Sequence, residues 1–192
     1  MLELARPERF TYADYLQWTG DERWELIDGE ALSMSPAPSR LHQEVVGGLF
    51  AQIATFLRGR PCRVYVAPFD VRLPHLDEAD REVDTVVQPD ISVICDESKL
   101  DDAGCRGAPD WIIEVLSPGT MARDQVRKRE LYARHAVREY WIVDPMSRQV
   151  SISVLDDSGH RYRPPVTAKA GGRTASWGLP ELEIDWHLVF DL

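Results

Sequence analysis

Glu114 interrupts the run WIIEVL, residues 111 to 116, which is apolar on both alternating faces and therefore reads as a central, buried strand. A carboxylate in such a place is costly unless it is paired, protonated or bound to a metal. Asp90 stands in VVQPDISVI, where Pro89 lacks a backbone donor and marks a strand entrance, an edge or a bulge. By alternation, Asp90, Ser92 and Ile94 share one face and Ile91 and Val93 the other. An aspartate at a strand entrance can then converge with Glu114 from a neighbouring strand. Two such carboxylates suit Mg²⁺ or Mn²⁺, hard cations that take oxygen ligands and keep several waters. The structural alternatives are an arginine partner for Glu114 and a turn hydrogen bond for Asp90.

In TMARDQVRKRELYARH, Asp124, Lys128 and Tyr132 recur at four-residue steps on one helical face. Leu131 and Tyr132 must point toward a sheet, so Lys128 can point there too. A lysine near two metal-binding carboxylates can hold the attacking water and offset transition-state charge. The plainer reading is an exposed Asp124–Lys128 pair, worth ~0.3 to 0.5 kcal/mol. Arg123, Arg127, Arg129, Arg134 and Arg138 on the same helix and its exit form either a phosphate-facing surface or a solvated face balanced by Glu130 and Glu139. The histidines, at 42, 75, 135, 160 and 187, have no H-x-x-x-H spacing that would suggest zinc. His42 is expected to be structural or solvated.

These residues need a scaffold. Thr11 and Asp14 resemble a capping box for a short helix within Phe10 to Trp18. Residues 24 to 34, WELIDGEALSM, read as a β-hairpin turning at Asp28-Gly29. Leu41, Val45, Val46, Leu49, Ile53, Phe56 and Leu57 predict an amphipathic helix starting near Ser39. Strands are expected over Cys62 to Leu73, Val86 to Ile94 and Trp111 to Leu116. A helix from Met121 to Arg134 and the strand EYWIVDP, stopped by Pro145, follow. A second hairpin turns at Asp156 to Gly159, and Asp185 is the expected N-cap of a last short helix. The economical architecture is α/β, a mixed central sheet flanked by helices with an added hairpin at each end, as a single domain over residues 1–192.

The totals bound the function. A net charge of -10 argues against non-specific coating of nucleic acid, so any such role needs a local basic patch or metal ions. No apolar run is long enough for a membrane span, and MLELARPERF lacks the apolar centre of a secretory signal, so the cytoplasm is the expected location. Cys62, Cys95 and Cys105, an odd number without C-x-x-C spacing, are expected to be reduced thiols.

The runs WELIDGE, SPAPSRLHQEVV, QPDISVICD, GAPDWIIEVLSPGT, D-x3-K-x3-Y and AVREYWIVDP, in order across residues 10 to 190, resemble the Uma-type family of proteins described as restriction endonucleases, within the PD-(D/E)XK nuclease superfamily. The resemblance implies a restriction-endonuclease-like fold and a Mg²⁺-dependent phosphodiesterase site. Asp90 matches the aspartate of the PD element and Glu114 the acid of (D/E)XK, and these two are the implied metal ligands. Two residues after Glu114 stands Leu116 where the superfamily has lysine; Lys128 matches the family's own lysine and can restore the cation from the following helix. Glu25 matches the family's N-terminal glutamate, with Glu44 as a competitor on the first long helix. The implied catalytic set is Glu25, Asp90, Glu114 and Lys128, acting on DNA by in-line attack of water, with a homodimer able to cut both strands. A catalytically weak nuclease-fold binding module is the rival expectation, favoured by the displaced lysine and the acidic charge. An acid-base glycosidase fits less well, since Lys128 and the arginines suit phosphate better than sugar.

Overall fold

The computed structural model describes residues 9–34, 38–117 and 123–191, without the side chains of residues 123–125. After α1 (Tyr12–Tyr15) come β1 (Trp24–Ile27) and β2 (Glu30–Ser33), then the long helix α2 (Arg40–Leu57). Short strands follow: β3 (Arg63–Val66), β4 (Val71–Arg72), β5 (Val86–Val87), β6 (Ile91–Ile94), β7 (Leu100–Asp101), β8 (Gly104–Arg106) and β9 (Trp111–Val115). Helix α3 (Arg123–Arg134) precedes β10 (Glu139–Asp144), β11 (Gln149–Val154), β12 (Val166–Lys169), β13 (Arg173–Ala175), β14 (Glu183–Asp185) and α4 (His187–Phe190).

Two six-stranded mixed sheets carry the fold. One has the order β12-β11-β10-β9-β6-β3 with β9 and β10 parallel, the other β2-β1-β5-β4-β8-β7 with β4 and β8 parallel. A small antiparallel pair, β13 and β14, stands apart. The mixed α/β architecture is therefore as expected, but two predicted strands are each divided between the sheets. Cys62 to Leu73 becomes β3 and β4, parted around the cis Ala67–Pro68 bond. Val86 to Ile94 becomes β5 and β6, parted at Gln88-Pro89-Asp90, where proline cannot donate to a ladder. Both crossings lie where the two sheets diverge, and Asp90 sits there.

The predicted hairpin forms as β1–β2, with Ile27 opposite Glu30 and positive φ at Asp28 (53°) and Gly29 (75°), as a tight turn of this kind requires. Asp14 accepts from the Thr11 backbone N–H at 2.8 Å, capping α1. Ser39 caps α2 by accepting from the His42 N–H at 3.2 Å. The second hairpin joins β11 to β12 through the Asp156–Gly159 turn. Asp185 ends β14 and its side chain accepts from His187 N–H, while Trp186 is the N-cap of α4. The helix onset expected at Met121 lies outside the described residues, as do the side chains of Arg123 and Asp124. No helix among the described residues is long and apolar enough to cross a membrane.

The first sheet is covered on both faces. Val45, Leu49 and Ile53 of α2 pack with Ile91, Val93 and Ile113, whereas Leu131 and Tyr132 of α3 pack with Ile112 and Tyr140. Strand β9 thus presents Trp111, Ile113 and Val115 toward α2 and Ile112 toward α3. Glu114 shares the face of Ile112, so it points at α3.

Two expectations are corrected. Cys62 and Cys95 form a disulfide, because antiparallel pairing of Arg63 with Ile94 makes them the next opposed pair; Cys105 alone is a buried free thiol. Glu139 is no solvated counter-charge: it is 0% exposed and accepts from Trp141 Nε1 (2.7 Å), Ser176 Oγ (2.8 Å) and the N–H groups of Trp177 and Gly178 (2.9 Å each). Truncation would strand four donors in the interior. Glu139→Ala is therefore expected to lower stability in urea unfolding by about 3 kcal/mol, against less than ~0.5 kcal/mol for the exposed Glu130→Ala.

His135, just beyond α3, packs its ring 4.9 Å from that of His75, and its Nε2 is buried without a hydrogen-bond partner. Burial, then the neighbouring His75 and Arg134, push its pKa from 6.5 down to about 4. The unfolded chain takes the proton that the folded one refuses, so this group's contribution is intact above pH 6.5 and declines as pH falls from 6.5 to 4. The melting temperature of His135→Gln should therefore fall less over that window than that of the unaltered protein.

Candidate active site

The antiparallel register that sets Ile91 opposite Ile113 sets Asp90 opposite Glu114 one residue further on. Asp90 Oδ2 accepts from the Val115 N–H at 2.8 Å, tying the strand entrance to the neighbouring strand. His42 Nε2, from the first turn of α2, lies 3.3 Å from the same oxygen. Across the site, Lys128 Nζ donates to Glu25 Oε1 at 2.9 Å and to Glu114 Oε1 at 3.0 Å. The Tyr132 hydroxyl donates to Glu114 Oε1 at 2.9 Å, and the Gln88 N–H to Glu25 Oε1 at 2.9 Å. Three separate elements, β1, β9 and α3, thus meet at one ammonium group. Lys128 lies one helical turn before Tyr132 on the face that packs on the sheet, which is why it reaches inward.

Burial raises the Glu114 pKa, the Lys128 charge lowers it and the charges of Asp90 and Glu25 raise it, which together leave it at about 7. Burial alone would strip the Lys128 proton, but Glu114 and Glu25 hold it, and its pKa lies above the ordinary lysine value. Burial likewise disfavours a charge on His42, yet the hydrogen bond and charge of Asp90 outweigh it and raise that pKa. The Tyr132 hydroxyl, raised chiefly by burial, stays protonated and serves as a donor.

A cavity of about 760 Å³ opens on these groups, lined by Glu25, Asp90, Glu114 and Lys128 with His42 and Gln88. All four residues singled out from sequence therefore face one space. Glu25 is 6% exposed, which disposes of a surface hairpin charge. Glu44 is engaged by Arg40 on α2, away from this group. Of the arginine series, Arg127 lines the cavity, donating to the Ile27 carbonyl at 3.0 Å and pairing with Glu30 at 2.8 Å. Arg129 binds Ser153 and the Arg163 carbonyl, Arg134 binds Asp28, and Arg138 lies 3.6 Å from Asp110. Among the described residues they form no common phosphate-facing surface, because β-strand and loop partners draw them in different directions. Sequence reasoning passed over Arg23, which lines the cavity and holds Gln88 Oε1 through Nε at 3.0 Å. It also placed no weight on Gln88; its position beside Pro89-Asp90 was the available signal.

A family model described as "Uma2: Putative restriction endonuclease" matches residues 12–187. The chain belongs to the Uma2 family. An uncharacterized protein of Synechocystis sp. is 26% identical over 149 residues, 76% of this chain and 74% of its own length. Across 95% of this chain and 98% of the other, the fold is similar at TM-score 0.71 and 20% identity to the crystal structure of "a putative nuclease belonging to DUF820" from Anabaena variabilis. The Uma2 chain thus shares the fold of that protein, and Glu25, Asp90, Glu114 and Lys128 all fall within the residues matched by the family model.

A second group, Asp28, His75 and Asp84, brings three ligand-type atoms within 4.8 Å of one another. Arg134 holds Asp28, and Thr85 donates to Asp84 at 3.0 Å, so the group works as an ion-pair cluster that pins the β1–β2 turn.

Proposed function

We propose that this protein is a metal-dependent endonuclease that hydrolyses DNA phosphodiesters, as one functional unit in the cytoplasm. The observation that carries the reading is Lys128 held between Glu25 and Glu114 in the cavity that Asp90 also lines. The donor set fits a hard divalent cation: carboxylate oxygens with room for water, and no cysteine among the described residues that line the cavity. Asp90 and Glu114 would hold the ion, each already steadied through one oxygen by Val115 and His42 or by Lys128 and Tyr132. Such a cation, Mg²⁺ or Mn²⁺, supplies Lewis acidity toward a bound water and the scissile phosphate.

The rest is the work of this chain's own side chains. Lys128 orients the attacking water and offsets the charge that builds on the phosphorus oxygens. Glu25 fixes the Lys128 ammonium and is itself fixed by the Gln88 N–H. The Tyr132 hydroxyl keeps Glu114 turned toward the cavity. Lysine from α3 therefore takes the role for which Leu116 has no chemistry.

The same Lys128 contacts favour a second reading, a nuclease-fold binding module in which the lysine is a structural ion-pair partner. Calorimetric titration with Mg²⁺ and Mn²⁺, with supercoiled plasmid incubated in parallel, separates the two. Saturable metal binding with nicked or linear product is the expected outcome. Absence of both would leave the binding module. A homodimer would carry two such sites and cut both strands, and size-exclusion chromatography with and without DNA tests for it.

A further inference from the structure

The reacting groups are recessed. Side-chain exposures are 8% for Glu25, 14% for Glu114 and Lys128 and 19% for Asp90, so a phosphodiester must enter the cavity to meet them. The recess has a volume of about 760 Å³, whereas a duplex, whose major groove alone is about 12 Å wide, carries its phosphates on an outer rim. An unpaired strand can bring a phosphate to the floor of such a recess without a rigid partner strand beside it.

The lining has the composition such a strand would need. Among the described lining residues, Arg23, Arg127 and Lys128 stand against Glu25, Asp90 and Glu114, with His42 beside them, which is little positive charge with which to displace the counterions of two backbones. Its other wall is apolar: Leu32, Met34, Val46, Phe50 and Val66. Phe50 is partly buried on α2, two turns beyond His42 and about 12 Å along the helix axis. That length corresponds to three or four stacked nucleotides at about 3.4 Å each. An aromatic wall at that remove from the carboxylates suits an unstacked base, because every base offers a π-face regardless of sequence.

Resting on the nuclease reading above, we infer that this cavity takes an unpaired nucleic-acid strand, with a base against Phe50 and a phosphate about three or four nucleotides along it at Asp90 and Glu114, and that it excludes continuous duplex. The test is fluorescence anisotropy of the full chain in Ca²⁺, with a labelled mixed-sequence 20-nucleotide DNA strand, its blunt duplex, and the RNA strand of the same sequence. The single strand should bind at least about tenfold more tightly than the duplex. Phe50→Ala should lose about tenfold of that affinity and Phe50→Tyr should restore it, with melting curves of both variants taken alongside. Tighter binding of the RNA strand would support the same cavity with RNA as its occupant. Equal or tighter duplex binding, or a Phe50→Ala protein that is folded and binds the strand normally, would overturn the inference while leaving nuclease activity on plasmid DNA standing. Neither binding nor cleavage of any of the three would remove both.

Discussion

Lys128→Met is expected to cost about 3 to 5 kcal/mol of stability and most of the cleavage activity, and the two losses can be told apart. Removing the ammonium leaves Glu25 and Glu114 facing each other in a buried site with no counter-charge, the situation in which breaking an ion pair is most expensive. The pH sign follows from Glu114. Its folded pKa, already about 7 against an ordinary 4.5, must rise further without Lys128. For an acid with a raised folded pKa, the favourable contribution is complete below 4.5 and is lost as pH rises through the folded value. Urea unfolding should therefore show the variant recovering part of its stability at pH 5.5 and weakest at pH 8. Adding Glu25→Gln removes one of the opposed charges and should return part of the loss at pH 8. Cleavage measured where Lys128→Met remains folded should be down at least about 100-fold, as for loss of one positioned donor to a developing oxyanion. A folded variant that cuts normally would reduce Lys128 to a structural cation and return the case to the binding module.

The fold was legible wherever a local rule was also the global one. The Asp28-Gly29 turn, the three- and four-residue steps of α2 and the EYWIVDP strand all form as the pattern requires, because each depends on residues close together in the chain. Legibility failed where a strand serves two sheets. The stretches 62–73 and 86–94 are rich in β-branched and other apolar residues and look like single strands, yet each changes sheet at a proline, and only tertiary pairing records that change. Glu139 was misread for a related reason: a carboxylate after a helix reads as solvated, and the four donors that bury it come largely from Ser176–Gly178, far along the chain. The Cys62–Cys95 bond likewise follows from β3–β6 register, which spacing alone does not give. Within the candidate site Glu114 was visible because a charge in an apolar run is conspicuous, Asp90 because it follows Pro89, and Lys128 because it shares a helical face with Tyr132, while Glu25 came from the family resemblance. Gln88 and Arg23 were not, since polar residues at a strand end have ordinary surface uses, and His42, the one histidine near the expected entrance to the site, was weighed as structural or solvated.

Asp90→Asn should keep the fold and lose the metal. Val115 N–H and His42 both engage Oδ2 of Asp90, and an amide oxygen can accept the Val115 bond as a carboxylate does, so the strand entrance keeps its tie to β9. What disappears is one negative charge facing the cavity. A metal that binds only the folded protein stabilises it by RT ln(1 + [L]/Kd), about 2.7 kcal/mol at one hundred times Kd. If the substitution weakens binding about 100-fold, the same metal concentration yields only ~0.4 kcal/mol. The Mg²⁺-induced rise in melting temperature should thus nearly vanish in Asp90→Asn, while the metal-free melting temperature stays close to that of the unaltered protein. Asp90→Ala differs instructively, because it also strands the Val115 N–H and should melt lower without metal. Asp84→Asn is the control for the outlying Asp28, His75 and Asp84 group. If the metal-induced rise survives in Asp90→Asn and is lost in Asp84→Asn, the cation belongs to that outer cluster, and the cavity at Lys128 holds no catalytic metal.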